Sequence, residues 1–376
     1  MSTSVVIAAG GTAGHVYPGL ALADAIVRAR PDARVTFVGT PRGIEKDAVP
    51  AGGYPIEMIE VMPWSRSLGA RRFLAPLSGL ASTSAARALL GHLEPNVVVG
   101  MGGYVSLPVV VAARSRRLPV VQHEQNAIPG IANTVGARFS RRIAVTFPQT
   151  RDVFPDRVEV RVLGNPLRAS IASFDRAALR DGAPSELALE PGRRTLLVMG
   201  GSLGAARLND AVVGLAERWR DRSDRQLLVS AGRLHGEELR ARLSAATGGG
   251  ALLVRCVDYL DRVELAYAAA DVALCRAGAA TVMELAAVGL PSILVPYPYA
   301  RANHQEANAR ALADAGGAEV ILDRDATAGA LAPPLERILD DDGVRERMTA
   351  GARRFARPNA ADDLAAWVLS LGGTDG

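Results

Sequence analysis

Residues 4–14 read SVVIAAGGTAG and residues 195–204 read TLLVMGGSLG. Each stretch is a short apolar run followed by a Gly-Gly-x-x-Gly turn, and each turn leads into a stretch with the pattern of a helix. A glycine-rich turn between a buried parallel strand and a helix is typical of nucleotide-binding α/β domains. Two copies, one near the start of each half of the chain, predict two such domains in tandem.

Further apolar runs alternate with helical stretches, among them RVTFVG, NVVVGMG, DVALCRAG and PSILVPYP. This alternation favours parallel sheets with helices on both faces. The 376 residues also exceed what one hydrophobic core usually serves. We therefore predict an α/β protein of two tandem Rossmann-like domains, at 1–163 and 164–355, that face each other across a ligand-binding cleft, followed by a C-terminal segment at 356–376.

The composition argues against several classes of protein. Cys256 and Cys275 lie in apolar runs, so we expect buried thiols in a reducing cytoplasm rather than a disulfide or a metal site. The longest apolar run, around VSLPVVVAA, is about half of the ~20 residues that a membrane-spanning helix needs. A dinucleotide oxidoreductase is disfavoured, because neither turn reads G-x-G-x-x-G and no acid follows the second strand to hold an adenosine ribose.

The positive charge is concentrated in one window of the sequence. Residues 61–142 hold ten arginines and two acids, a net charge of +8, whereas the whole chain carries +4. Such a local field favours an anionic partner, either nucleic acid or an anionic lipid surface. The window lacks the interleaved aromatic residues of a single-strand binder and any recognisable reading module, so we predict no nucleic-acid partner.

Residues 275–309, CRAGAATVMELAAVGLPSILVPYPYARANHQEANA, carry the densest set of candidate binding groups. We expect a strand to end at Arg276 and a helix to begin at Ala279, with its first N–H groups open to an anion. Glu284 is either a carboxylate that accepts both ribose hydroxyls or an ordinary solvated helix residue. The later polar residues either line a sugar pocket or begin an ordinary helix: His304, Gln305 and Asn308.

Six co-linear motifs carry a resemblance to a known family: GGTAGHVYPGLALA, GMGGYVSLP, HEQNAIPGIAN, GNPLR, GGSLGA, and CRAGAATVMELAAVGLP with HQEANA. Together they resemble the MurG family of bacterial peptidoglycan N-acetylglucosaminyltransferases, within glycosyltransferase family 28. The resemblance implies a GT-B fold and inverting transfer of GlcNAc from UDP-GlcNAc to the C4 hydroxyl of MurNAc in undecaprenyl-pyrophosphoryl-MurNAc-pentapeptide (lipid I), which gives lipid II. Ala13 replaces a family glycine and Leu203 a common glutamine, and neither change removes a functional side chain.

The resemblance places the donor contacts on matching positions of this chain. Ser202 and the helix start at 279–281 would face the diphosphate, Arg168 would add a cation, Glu284 would bind the ribose, and the backbone of Leu260 would meet the uracil. The full set of expected donor contacts is Thr12, Ala13, Gly14, Asn126, Arg168, Ser202, Leu260, Ala279, Ala280, Thr281, Val282, Met283, Glu284 and Gln305.

An inverting displacement requires that the acceptor hydroxyl lose a proton, which a histidine with a pKa near 6.5 can accept. His15 is the first candidate base; alternatively it contacts the acceptor pyrophosphate or only caps its helix. Glu124 and His123 are rival bases. Because N–H donors and a cation can stabilise the departing UDP, we expect no cofactor and no required metal. The acidic runs at 323–325 and 340–342 are interpreted as turns rather than metal ligands.

A lipid acceptor implies work at a bilayer. The segment 62–93 mixes apolar residues with arginines and holds no acid, which suits an interfacial helix on anionic lipid or an amphipathic core helix with a basic edge. We expect a peripheral protein at the cytoplasmic face of the bacterial cell membrane, whose partners are UDP-GlcNAc, lipid I and anionic lipid, with cell-wall or division proteins left open. The C-terminal segment is expected to pack back on the first domain. Expected acceptor and membrane contacts are Tyr104, Ser106, Trp64, Arg71, Arg72 and Phe73.

Two other functions stay open on the sequence. A UDP-GlcNAc 2-epimerase of the same fold would bind the same donor without a lipid acceptor. A non-catalytic nucleotide-sugar-binding subunit would keep the glycine turns and Glu284 but could lose His15 without effect. Release of UDP only in the presence of a lipid acceptor separates a transferase from both.

Overall fold

The computed structural model describes residues 3–61, 75–200, 205–232 and 236–373, with the backbone alone at 75–78. The chain divides into two compact units, which we call unit 1 (Met1–Arg168 with Arg357–Gly376) and unit 2 (Ala169–Ala356). Each unit is an α/β layer structure built on its own parallel sheet, which confirms the predicted fold class.

Unit 1 contains, within the described ranges, a seven-stranded parallel sheet in the order β3-β2-β1-β4-β5-β6-β7. β1 and β4 are buried along their whole length because their residues are apolar on both faces, as a central parallel strand requires. The strands are Ser4–Ala8 (β1), Arg34–Gly39 (β2), Ile56–Met58 (β3), Val97–Gly100 (β4), Val120–Glu124 (β5), Arg142–Val145 (β6) and Glu159–Val162 (β7).

Helices cover both faces of this sheet. One face packs Val5 and Ile7 of β1 against α1, and the other packs Val6 and Val98 against α3 and α4. The helices that precede unit 2 are Ala13–Ala29 (α1), Glu45–Ala51 (α2), Ala75–Leu93 (α3), Ser106–Ser115 (α4) and Ile131–Gly136 (α5), and a 3-10 helix covers Pro148–Val153.

Unit 2 repeats the arrangement with a parallel sheet in the order β10-β9-β8-β11-β12-β13. Its core joins Leu196 and Leu274 of the central strands to Leu331 and Leu335 of a covering helix. The strands are Arg194–Met199 (β8), Arg225–Ser230 (β9), Leu253–Val257 (β10), Val272–Cys275 (β11), Ser292–Leu294 (β12) and Ala318–Val320 (β13).

The helices of unit 2 alternate with its strands. They are Ala169–Ala172 (α6), Arg176–Arg180 (α7), Ala183–Glu186 (α8), Ala206–Arg218 (α9), Gly236–Thr247 (α10), Val263–Ala269 (α11), Ala279–Val288 (α12), His304–Asp314 (α13), Ala328–Asp340 (α14) and Asp342–Phe355 (α15), with 3-10 helices at Arg301–Asn303 and Asp323–Asp325. The last helix, Ala360–Gly372 (α16), belongs to unit 1, where it packs against α1 and buries Leu364, Trp367 and Val368.

In both sheets the strand order reverses beside the first strand, between β1 and β4 in unit 1 and between β8 and β11 in unit 2. Ligands of doubly wound sheets bind at the carboxyl ends of the strands at this point. The loops after these four strands are therefore the places where a site is expected. Across the described parts of the chain, every helix is too short or too polar to cross a membrane.

Candidate functional site

The turn after β1 leads directly into α1. Gly11 has φ +85°, a backbone conformation that glycine adopts without strain, and Thr12 is extended at the N-terminus of the helix. Ala13 and Gly14 are exposed in the first turn of α1, and a Cβ on Gly14 would meet nothing closer than Thr12 Oγ1 at 3.8 Å. Packing within unit 1 therefore gives no reason for glycine at position 14, whereas a ligand that approached the helix start would give one.

His15 is held by its neighbour in the turn. The Thr12 hydroxyl does not cap the helix backbone; it pairs instead with His15 Nδ1, with Oγ1 and Nδ1 3.0 Å apart. The ring lies against the loop that follows β4, because a Cβ on Gly102 would be 3.0 Å from His15 Cδ2. Nδ1 pairs with Thr12, and the other ring nitrogen, Nε2, lies on the side of Gly102, 3.1 Å from the position that a Cβ would take there.

The loop after β4 reaches the glycine turn closely. Gly103 has φ +80°, and a Cβ there would overlap the carbonyl oxygen of Gly10. Tyr104, an expected acceptor contact, is exposed. Ser106 is buried and its hydroxyl packs on the backbone of Gly100, so the structure places it inside unit 1 rather than on a binding surface.

His123 on β5 is fully buried, with Nε2 2.9 Å from the carbonyl oxygen of Gly164. Burial lowers the pKa of His123 to about 4; the Gly164 hydrogen bond opposes this by raising the pKa, and the nearby His15 lowers it by a smaller amount. A ring that is neutral over the physiological range and bonded to backbone serves to join β5 to the chain at Gly164.

Glu124 ends β5 with both carboxylate oxygens engaged. Oε1 accepts the Asn126 backbone N–H at 2.9 Å, and Oε2 accepts the Gly130 N–H at 2.9 Å and the Asn133 side-chain amide at 2.8 Å. Burial raises the pKa of Glu124, and these hydrogen bonds oppose the rise. The geometry describes a carboxylate that folds the HEQNAIPG loop, with Asn126 held at its partly exposed edge.

Arg168 closes the first part of unit 1. Its guanidinium lies over the ring of Tyr17 on α1, with 4.9 Å from Cζ to the ring centroid. Arginine stacked on an aromatic ring keeps its charge and presents it in a fixed direction. The expected diphosphate cation therefore lies on unit 1, over Tyr17, which is two positions after His15 on α1.

In unit 2, Gly278 precedes α12 in an extended conformation. The first three helix residues, Ala279, Ala280 and Thr281, contribute the backbone N–H groups that have no carbonyl partner within a helix, whereas the Val282 N–H already bonds the Gly278 carbonyl. Such a helix start is suited to a phosphate.

Glu284 is half-buried on α12, and its Oε2 accepts the hydroxyl of buried Tyr267 at 2.8 Å. This hydrogen bond sets the direction of the carboxylate. The side chains of Val282 and Met283 are fully buried in the core of unit 2, and Ala279 is buried as well. Of the expected contacts on this helix, the partly exposed ones are Ala280, Thr281 and Glu284.

Gln305 and Asn308 brace the loop before α12. Gln305 Oε1 accepts the N–H groups of Ala277 at 3.2 Å and Tyr297 at 2.9 Å, and the buried Asn308 amide donates to the Ala277 carbonyl at 3.2 Å. Their amides thus fix the strand-to-helix connection. His304 begins α13 with Nδ1 against the Arg301 carbonyl, and burial lowers its pKa.

Arg276, the residue after β11, is mostly buried and pairs with Asp323, with 2.7 Å between Nη1 and Oδ1. Asp323 also contacts Arg207 at 3.3 Å. Both of its oxygens thus face arginines. In the described part of the chain, no group of three or more His, Cys, Asp or Glu side chains is arranged to hold a metal ion.

Leu260, the expected uracil contact, is half-buried in the loop between β10 and α11. Several expected contacts lie outside the described residues: Ser202, Trp64, Arg71, Arg72 and Phe73.

Sequence reasoning did not identify Glu45, Tyr267 or the Arg276–Asp323 pair, each of which holds a site loop or side chain in position.

The sequence matches the family descriptions "Glycosyltransferase family 28 N-terminal domain" over residues 5–145 and "Glycosyltransferase family 28 C-terminal domain" over residues 195–364. The chain belongs to glycosyltransferase family 28. Its two units are the two domains of the GT-B fold, as the sequence predicted.

Curated relatives of this family 28 chain match it over nearly its full length. A protein of Nocardioides sp. is 44% identical over 98% of both chains, and one of Rhodococcus erythropolis is 41% identical over 98% of this chain and 94% of the relative. Both are named UDP-N-acetylglucosamine--N-acetylmuramyl-(pentapeptide) pyrophosphoryl-undecaprenol N-acetylglucosamine transferase.

Solved structures agree with the family 28 assignment. MurG of Acinetobacter baumannii is 30% identical, covers 98% of this chain and 99% of its own, and superposes with a TM-score of 0.79. A UDP-GlcNAc 2-epimerase from Neisseria meningitidis, solved with UDP-GlcNAc bound, superposes with a TM-score of 0.69 over 98% of this chain, but at 11% identity it shows the shared fold alone.

Proposed function

We propose that this family 28 chain transfers GlcNAc from UDP-GlcNAc to the C4 hydroxyl of MurNAc in undecaprenyl-pyrophosphoryl-MurNAc-pentapeptide, with inversion at the sugar carbon. The observation that carries the proposal is the full-length similarity, at 44% and 41% identity, to curated transferases of that name. The arrangement of each unit's site agrees with the chemistry that the transfer requires.

Unit 2 is proposed to bind the donor. The first turn of α12 offers N–H groups to the diphosphate, and Glu284, aimed by Tyr267, accepts the ribose hydroxyls. Charge builds on UDP as the sugar–phosphate bond breaks, and fixed N–H donors at that point stabilise the transition state more than the ground state. Leu260 and Gln305 complete the donor pocket in this proposal.

Unit 1 is proposed to supply the base. Where His15 Nδ1 carries the hydrogen and donates to Thr12 Oγ1, Nε2 holds the lone pair and can accept the proton of the acceptor hydroxyl as that oxygen attacks the sugar carbon. Glu124 is less suited, because its oxygens already accept backbone and amide hydrogen bonds. His123 is less suited as well, because it is fully buried.

We also propose that the reaction needs no metal ion. The helix start at 279–281 provides N–H donors for the departing UDP, and Arg168 provides a cation. Asp323, in the acidic run at 323–325 that resembles a metal-binding motif, already pairs with Arg276 and Arg207.

The chain is further proposed to bind the surface of an anionic bilayer. Exposed arginines are numerous in the described part of 61–142, among them Arg114, Arg116 and Arg117 at the end of α4. Of the two acids in this window, Glu94 is exposed and Glu124 is buried. Each cation near an anionic surface contributes about 1 kcal/mol. Sedimentation with phosphatidylglycerol vesicles is expected to exceed that with phosphatidylcholine vesicles and to fall with salt; equal sedimentation with both would contradict the proposal.

The decisive experiment measures transfer of labelled GlcNAc from UDP-GlcNAc to a short-chain lipid I analogue in the presence of EDTA. Labelled disaccharide product, with UDP release that depends on the acceptor, is the expected result. Conversion of UDP-GlcNAc to its 2-epimer without acceptor would replace the proposal with an epimerase. Donor binding without either product would leave a nucleotide-sugar-binding subunit.

A further inference from the structure

A buried carboxylate outside the proposed substrate contacts holds the glycine turn of unit 1. Glu45, the first residue of α2, is fully buried. Its Oε2 accepts the Gly11 N–H at 2.9 Å, while Oε1 accepts the Thr40 N–H at 3.0 Å and the Thr40 hydroxyl at 2.7 Å. One side chain therefore joins the loop after β1 to the loop after β2.

Three glycines make room for this carboxylate. A Cβ on Gly10 would lie 2.5 Å from Glu45 Oε1, one on Gly39 would lie 2.6 Å from Glu45 Cγ, and one on Gly43 would come closer still. Such distances do not occur between real side-chain atoms, so any larger residue at these positions would displace Glu45. Gly10 of the first motif is thus explained by Glu45, without reference to a ligand.

The groups around Glu45 require an acceptor at both oxygens. The three polar atoms that face it are all donors, and no ion pair of Glu45 occurs in the described residues. A buried carboxylate without a cation is costly unless hydrogen bonds satisfy it. Glutamine would keep the shape but turn an NH2 group toward an N–H donor, so the turn depends on the carboxylate in particular.

The glycine turn that Glu45 holds also determines where His15 lies. Gly11 directly precedes Thr12, whose hydroxyl pairs with His15 Nδ1. The Gly10 carbonyl lies against Gly103, in the same loop that packs on the imidazole ring. A shift of Gly10 or Gly11 would therefore move both the partner of His15 and the surface on which its ring rests.

We propose that Glu45 is a positioning residue for the transfer, which holds the Gly10–Thr12 turn so that His15 Nε2 meets the acceptor hydroxyl; this inference rests on the proposed function. The Gly11 N–H is committed to Glu45, and the His15 and Val16 N–H groups bond the Thr12 carbonyl, so an anion at this turn would meet the N–H groups of Ala13 and Gly14. Loss of the carboxylate should slow the chemical step without weakening the donor site of unit 2.

Steady-state transfer kinetics test the positioning role of Glu45 in two variants that change or displace its carboxylate. Glu45→Gln changes the acceptor itself, and Gly43→Ala displaces it from a loop outside the turn. Each is expected to lower kcat at least tenfold while the KM for UDP-GlcNAc stays within twofold. The matched controls are Ser140→Ala, which removes a buried hydroxyl bonded to backbone in unit 1, and Gly182→Ala, where an added Cβ meets nothing within 4 Å.

A second measurement does not depend on turnover. The ¹⁵N spectrum of the His15 ring reports which nitrogen carries the hydrogen and is expected to change in Glu45→Gln and Gly43→Ala but not in the controls. A kcat no lower than in the controls, together with an unchanged His15 spectrum, would overturn the inference. If the wild type transfers no GlcNAc, the proposed function fails, and the His15 spectrum alone then supports or rejects the positioning role. If Glu45→Gln does not fold, Gly43→Ala decides.

Discussion

The turn before α1 in unit 1 and the turn before α12 in unit 2 both lie at the strand-order reversal of their sheets but on opposite sides of it, since α1 follows the first strand and α12 follows the strand beside the first. Different chemistry holds the two turns. A buried carboxylate, Glu45, accepts from the first turn. A neutral amide, Gln305, accepts from the second, where the buried cation Arg276 pairs with Asp323. The strand order therefore fixes where a site lies, and the residues that brace each turn set the charge around it.

This difference suits a division of labour between the units. A diphosphate is favoured where N–H donors are braced by a neutral side chain, as in unit 2. A buried carboxylate bonded to the residue before Thr12 is better suited to fix a base than to gather negative charge. Variants that act on one turn alone should therefore separate the chemical step from donor binding.

The largest effect is expected from His15→Ala. Loss of a positioned general base lowers the rate by about 10²-fold to 10⁴-fold. The kcat for GlcNAc transfer should fall by this amount, and the KM for UDP-GlcNAc should stay nearly constant, because the proposed donor site lies on unit 2. Isothermal titration with UDP-GlcNAc provides the control for an intact donor site. A full kcat in the variant would remove His15 from the mechanism.

The next largest effect is expected from Glu284→Ala. In the proposed donor site the carboxylate accepts hydrogen bonds from the ribose. Hydrogen bonds to a charged group contribute about 1.5 to 3 kcal/mol, which corresponds to about a 10-fold to 100-fold rise in the KM for UDP-GlcNAc. Tyr267→Phe, which removes only the hydroxyl that aims Glu284, should give a smaller rise in the same constant. An unchanged KM in Glu284→Ala would place the ribose elsewhere.

The sequence predicts the fold well because the signals are local. Apolar runs such as VVIAAG and TLLVMGG fix buried strands, and the glycines after them fix the strand-to-helix turns. The alternation with helices then leaves few topologies, since parallel crossovers have one hand. Both sheets have the expected parallel arrangement.

The braces of the site could not be read in the same way, because each depends on residues distant in sequence. Glu45 meets Gly11 across 34 positions and Tyr267 meets Glu284 across 17. Val282 and Met283 were expected among the donor contacts, yet the helix turns them into the core. The one available sequence signal for Glu45 was the pair of glycines at 39 and 43, which looks like an ordinary turn until the space they leave is seen.

Gln305→Leu tests the brace of unit 2. It leaves the Ala277 and Tyr297 N–H groups without their acceptor; Tyr297 is exposed, but Ala277 is buried. An unsatisfied buried donor costs about 1 to 3 kcal/mol, so the free energy of unfolding from urea titration should fall by about that amount. Gln305→Glu keeps an acceptor but brings a negative charge, as in unit 1. It should preserve stability while weakening UDP-GlcNAc binding; unchanged binding would contradict the assignment of the diphosphate to this turn.

The smallest effect at neutral pH is expected from His123→Gln, which keeps a side-chain donor for the Gly164 carbonyl. Because the folded-state pKa of His123 is lowered from 6.5 to about 4, the unfolded chain binds the extra proton between these values, and the folded protein loses stability as the pH falls from 6.5 toward 4. Above pH 6.5 the ring is neutral in both states and contributes no pH dependence.

Between pH 6.5 and 4, the free energy of unfolding from urea titration should change with pH more steeply in the wild type than in the variant, by up to about 1.4 kcal/mol per pH unit. His304, whose pKa is also lowered, is present in both proteins and cancels in the comparison. Equal slopes would mean that His123 is protonated in the folded state, and its buried place beside Gly164 would then have to accommodate a charge.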